Sequence, residues 1–165
     1  MKFLLSAFVL AFLTACGFSP MYGSATGSQG VSATQGLDHV DIAVIPDQSG
    51  VYIRNILIDH FYRDGYPASP THTLLVENLD DAEYNLDITR DSESTRKQIR
   101  LTATMILREN ATNRDVVRRD LVATTSYNVL GSQFTTRVSE NDAREAALAD
   151  LARQIESQTA LYFKR

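Results

Sequence analysis

The chain has 165 residues, 44% of them hydrophobic, enough for one domain with a real interior. Its 16 Lys and Arg stand against 20 Asp and Glu, a net charge of −4, which argues against a general nucleic-acid binder. The single cysteine, Cys16, leaves no disulfide within the chain, so stability rests on packing.

The first element is a short apolar run, Phe3 to Phe12, behind the cation Lys2. A basic start, an apolar run of about 7–15 residues and small residues before a cut site read as a secretory signal peptide, here residues 1–15. The run is broken by Ser6 and Thr14 and stops at Gly17, short of the roughly 20 apolar residues that a membrane-spanning helix needs. With Leu13 at −3 and Ala15 at −1, the stretch Leu13 to Cys16 resembles the lipobox of bacterial lipoproteins. That resemblance implies a diacylglyceryl group on the Cys16 sulfur and an acyl chain on its new N-terminus, with no other cofactor. An unlipidated signal peptide with an incidental cysteine is the other reading. In enteric bacteria an acidic residue after the cysteine retains such proteins at the inner membrane. Gly17 is not acidic, so the expected location is the outer membrane. Removal of residues 1–15 takes away Lys2 and no acid, and the net charge falls to −5.

Residues 16–36 form the lipidated N-terminus and a flexible tether, rich in Gly, Ser, Thr and Ala and free of charge. Phe18, Pro20, Met21 and Tyr22 near its start lie against the membrane or a partner, or belong to a disordered leader. Residues 37–165 are expected to fold as a single α+β domain.

His39 to Ile45 alternates, with Val40, Ile42 and Val44 on one side, and reads as a strand ended by Pro46. Ser49 to Asp64 reads as a helix capped by Ser49. Its apolar stripe is Ile53, Ile56, Leu57, His60 and Phe61, with His60 at the edge of the core, and Gly65 and Pro67 stop it. Pro67 and Pro70 mark a loop, and Thr73 to Val76 reads as a short strand at an edge. Asp80, Asp81 and Glu83 lack the Gly and terminal Glu of a calcium loop and read as a solvated loop.

Three further strands follow. Tyr84, Leu86 and Ile88 are expected on the buried face of one. Ile99, Leu101, Ala103, Met105 and Leu107 alternate along the next. Val117, Leu121, Ala123 and Tyr127 share a face of the last, after a hairpin turn at 109–114. Gly131 to Arg137 reads as a link to a second helix capped by Ser139 with Asp142, whose stripe is Ala147, Leu148, Leu151, Ile155 and Tyr162. The sum is a two-layer α+β sandwich: two helices on one face of a mixed, mostly antiparallel sheet of about four strands.

Catalytic patterns are missing from the sequence: it has no G-x-S-x-G, H-E-x-x-H or Walker loop. His39, His60 and His72 have no metal-ligand spacing. Binding or assembly is therefore favoured over an enzyme. The basic residues form two groups at opposite ends of the sheet: Arg90, Arg96, Lys97 and Arg100, then Arg108, Arg114, Arg118 and Arg119. Arginine forks suit phosphate, so either group fits phosphorylated lipid or an acidic partner. Solvated cations beside Asp91, Glu93, Asp115 and Asp120 are the competing reading. Charge and loop position single out Arg96, Lys97 and Arg114 as lipid-binding candidates.

The start Leu13-Thr14-Ala15-Cys16-Gly17-Phe18-Ser19-Pro20-Met21-Tyr22-Gly23 resembles the N-terminus of the alphaproteobacterial LptE family of lipopolysaccharide-assembly lipoproteins. The helix Ser49 to Asp59, with its Arg54-Asn55 pair, is similar to that family's first helix. The run Asp142 to Ile155, followed by Ala160 to Phe163, is similar to its last. The middle strands match only in pattern. The resemblance implies an outer-membrane lipoprotein facing the periplasm. It would be plug and assembly partner of the LptD-type β-barrel, binding lipopolysaccharide on its way to the cell surface. The family's lipid-contacting residues lie in loops, and none is carried over here. A structural accessory of another envelope machine, in barrel insertion or as a secretion pilot, is the alternative.

Overall fold

A computed structural model of the chain describes residues 36–63, 65–88 and 94–164. A 3-10 turn, Leu37–His39, leads into β1, Val40–Ile42. Helix α1 is Asp47–Phe61. Strands β2 (His72–Ile88), β3 (Ser94–Glu109) and β4 (Arg114–Asn128) follow, and α2 is Gln133–Phe163. The four strands form one sheet in the order β1-β2-β3-β4. β1 runs parallel to β2 and the other pairs are antiparallel. This is the expected two-helix, four-strand α+β sandwich.

The core lies between the helices and one face of the sheet. β3 supplies its centre: Ile99, Leu101, Ala103, Met105 and Leu107 are all buried. Ile53, Leu57 and Phe61 enter from α1, and Ala147, Leu148, Leu151 and Ile155 from α2. Full burial of a side chain such as Leu57 or Ile155 stabilises the fold by about 1.5–3 kcal/mol. His60 stands at the edge of this core, and its Nδ1 meets Glu156 Oε2 at 2.8 Å, linking the two helices.

Several boundaries differ from the sequence reading. The first strand is three residues long, because the chain leaves the sheet after Ile42. Val44 is 83% exposed, while Ile45 turns inward. Helix α1 starts at Asp47, directly after Pro46, with no side-chain cap, so Ser49 lies inside its first turn. It ends at Phe61. Helix α2 starts at Gln133, six residues before Ser139. The Thr136 hydroxyl donates to the carbonyls of Leu130 and Ser132 and accepts the Leu130 N–H, so the entry is fixed by threonine.

The largest difference is in β2. Thr73 and Leu74 are not an edge: they lie between β1 and β3, at the start of one continuous 17-residue strand whose outer side is left by β1 after Leu74. The ladder to β3 is irregular between Glu77 and Asp80, where Asn78 takes a left-handed φ of 53°. The extra residue reverses the pleat. Before it, Leu74 and Val76 face the core; after it, Tyr84 and Leu86 face away and are 49% and 45% exposed. Asp81 and Glu83 therefore belong to a strand rather than a solvated loop.

The edge formed by β1 is closed by side chains of α1 and its C-cap. The Tyr62 hydroxyl accepts the Ile42 N–H at 2.9 Å and donates to the Val40 carbonyl at 3.0 Å. Arg54 donates to the carbonyls of Ile42 and Ala43. Burial pushes the Tyr62 hydroxyl above its ordinary pKa and keeps it neutral.

Candidate functional site

Both helices cover one face of the sheet, and no described element covers the other. Side chains of alternate residues in β3 and β4 stand on this open face. It is mostly polar: Gln98, Arg100, Thr102 and Thr104 follow one another along β3, beside Asp120, Thr124 and Ser126 of β4. Thr104 donates to Asp120 at 2.8 Å, and Arg108 pairs with Asp115 at 2.7 Å.

One end of this face is amphipathic. Arg96 and Arg100 stand on it in β3. The pleat reversal at Asn78 brings Tyr84 and Leu86 of β2 alongside them: Tyr84 is opposite Gln98, and Leu86 lies between the residues paired with Lys97 and Arg96. Arg96 also donates to the Ser126 hydroxyl at 3.0 Å. Arg100 forms no ion pair with any described residue. Two guanidinium groups beside exposed apolar side chains can meet a ligand that carries phosphate and hydrocarbon together.

The three lipid-binding candidates do not converge. Arg96 and Lys97 are sequence neighbours in a strand, so they point to opposite faces. Lys97 is on the helix side, where its Nζ lies 2.6 Å from Glu83 Oε1. The Tyr127 hydroxyl donates to the same carboxylate at 2.9 Å. Lys97 and Tyr127 hold Glu83 below the usual carboxylate range, and burial together with Glu83 keeps the Tyr127 phenol neutral. Alongside, Arg144 bridges Asp81 at 2.6 Å and Glu140 at 3.0 Å. Lys97 thus belongs to a network that ties α2 to the sheet. Arg114 is exposed at the hairpin, roughly 40 Å from Arg96 along the strands. Cys16 and Arg90 lie outside the described residues.

The sequence reading missed Tyr84 and Leu86 as surface residues. The signal available was Asn78, since Asn in the middle of an apolar-polar alternation is suited to a left-handed bulge. Among the described residues no three His, Cys, Asp or Glu side chains are grouped to hold a metal ion. No described helix is long and apolar enough to cross a membrane.

The chain matches the profile of LptE, described as lipopolysaccharide-assembly, over residues 37–159. It belongs to the LptE family. The match runs from the 3-10 turn through every strand and nearly all of α2, so the whole α+β sandwich is the family's domain. Solved structures with this fold include a Caulobacter crescentus CB15 protein described as a lipoprotein, 17% identical, with a TM-score of 0.63 over 80% of this chain and 95% of that one. A minor lipoprotein from Acinetobacter baumannii is 20% identical, with a TM-score of 0.54 over 74% of this chain and 89% of that one. Lipoprotein B from Nitrosomonas europaea is 13% identical, with a TM-score of 0.61 over 76% and 83%. At these identities the likeness is one of fold. No curated protein matches the sequence.

Proposed function

We propose that this LptE-family chain is the lipoprotein subunit of an outer-membrane lipopolysaccharide translocon and has no catalytic role. In this reading lipid on Cys16 anchors it at the periplasmic side, and residues 16–36 are the tether. The domain sits in an LptD-type β-barrel as plug and assembly partner and contacts lipopolysaccharide in transit. The observation that carries the reading is the family match over 37–159. The open sheet face supports it, since hydroxyl and charged side chains suit a water-filled lumen better than they suit hydrocarbon. The Arg96, Arg100, Tyr84 and Leu86 end supports lipid contact, because it offers phosphate donors next to apolar surface.

The test is affinity purification of the full-length protein from detergent-solubilised membranes, with depletion in parallel. Recovery of a stoichiometric large β-barrel carrying lipopolysaccharide, and loss of mature barrel on depletion, is the expected outcome. Normal barrel maturation without the protein overturns the reading. Recovery with a different envelope machine moves the accessory role to first place.

A further inference from the structure

β1 leaves the outer side of β2 at Leu74, whose carbonyl accepts the Ala43 N–H at 3.0 Å. Farther along, residues 80–86 of β2 are paired with β3, and no described strand lies against their other side. We propose that this margin docks an extended, cation-bearing segment of a partner protein, which adds to the sheet antiparallel to β2. The inference goes beyond the translocon reading and does not depend on it.

The main chain here is laid out for strand addition. In a strand of given direction, residues that share a face also turn their N–H and C=O toward the same edge. Leu74 faces the core, and its carbonyl points outward. After the bulge at Asn78 the residues on the core side are Asp81, Glu83 and Asn85, opposite Leu101, Ile99 and Lys97. Each of these three therefore offers an N–H and a C=O at the outer margin. Among the described residues no other main chain is bonded to them, and all three are exposed. The opposite margin of the sheet is less open. On β4 the carbonyls of Arg118 and Val122 already accept from Arg119 at 2.9 Å and Gln154 at 3.0 Å.

The side chains beside the margin choose the occupant. On the helix-free face Asp80, Ala82, Tyr84 and Leu86 follow one another, opposite Thr102, Arg100 and Gln98 for the first three. Asp80 is exposed and forms no ion pair with a described residue. Tyr84 and Leu86 are half-exposed. A matching strand places apolar residues opposite Leu86 and Tyr84 and a Lys or Arg opposite Asp80. The position opposite Ala82 is neutral, because Arg100 stands on the far side of it. On the helix side Lys97 and Arg144 hold Glu83 and Asp81 at 2.6 Å each, so no further charge is needed there. The chain's own residues 16–36 carry no charge and supply no cation for Asp80. A second copy joined symmetrically about Glu83 would set that carboxylate against itself, which is unfavourable across strands.

The probe is the acetylated and amidated peptide Val-Thr-Val-Thr-Thr-Thr-Lys, titrated into isotope-labelled full-length protein in detergent micelles and followed through the amide signals. Its second, fourth and sixth residues would face Asn85, Glu83 and Asp81. The amide signals of those three residues are expected to shift together and saturate, and their exchange with solvent to slow. Methylation of the peptide nitrogens at the three facing Thr should abolish binding, while methylation at the second Val and the remaining Thr should leave it unchanged. Asp80→Lys should weaken binding about tenfold and should accept the peptide that carries Glu in place of Lys as well as wild type accepts the parent. If that variant does not fold, the methylated and Glu-bearing peptides carry the test on wild-type protein. Binding of the triply methylated peptide overturns the proposal, as does equal wild-type affinity for the Lys and Glu versions. Shifts confined to another surface, or none at millimolar peptide, also overturn it. Slow exchange of the same amides without peptide, together with a doubled protein mass, would give the margin to a second copy and overturn it too.

Discussion

Gly36 packs so closely on Phe163 that a Cβ at this position would lie 2.6 Å from the ring's Cγ. The contact joins the two ends of the fold. Gly36 also holds a φ of 102°, which side-chain-bearing residues rarely adopt. Phe163 is fixed in turn by edge contacts with Tyr162 and His72, centroid to centroid 5.1 Å each. Gly36→Ala therefore combines an overpacked contact with a disfavoured dihedral. The expected loss is about 1–3 kcal/mol, read as a fall of several degrees in the thermal midpoint. An unchanged midpoint would show that the ends move apart at no cost.

The pleat reversal in β2 depends on Asn78 at φ 53°. Asn tolerates the left-handed region, and a β-branched residue does not. Asn78→Val should lower stability by roughly 1–2 kcal/mol, whereas Asn78→Gly should be nearly neutral. Urea midpoints for the two variants test this. Equal losses would place the cost in the weak Asn78 to Thr104 contact, 3.5 Å long, rather than in the dihedral.

Glu83 gives the fold a defined acid sensitivity. Its carboxyl is held below the ordinary value of 4.5 by the hydrogen bond from Lys97, with a further one from Tyr127. A depressed folded pKa means that the stabilisation is complete above the unfolded value and is lost as pH falls through the folded one. Glu83→Gln should thus be less stable than wild type at pH 7. The gap should begin to close near pH 4.5 and vanish below the folded pKa. Denaturant midpoints across this range check it, and a gap that stays constant with pH would remove Glu83 from the acid response.

The legible parts of the fold were those with an unbroken period. Five alternating apolar residues in β3 predict its buried face, and the stripe of α1 predicts its packing. The first two turns of α2 were not legible, because Phe134 and Val138 are 77% and 43% exposed and no apolar stripe runs through them. In β2 the alternation is real on both sides of Asn78, but one extra residue inverts its meaning, and the surface role of Tyr84 and Leu86 was hidden with it. Adjacency misled the reading of the basic site. Arg96 and Lys97 are one residue apart in the chain and on opposite sides of a sheet. Arg119 of β4 and Lys164 after α2 are far apart in the chain and line one groove.

The two margins of the sheet are unequal. Tyr62 and Arg54 occupy outward polar groups of β1, while no described strand pairs with the outer side of β4. Unpaired strand margins are what let folded domains stack edge to edge without limit. The seal is short, because β1 pairs only with His72 to Leu74 of β2, and beyond them no described strand lies against the outer side of β2. One tyrosine and one arginine therefore block strand addition at the parallel corner of the sheet alone.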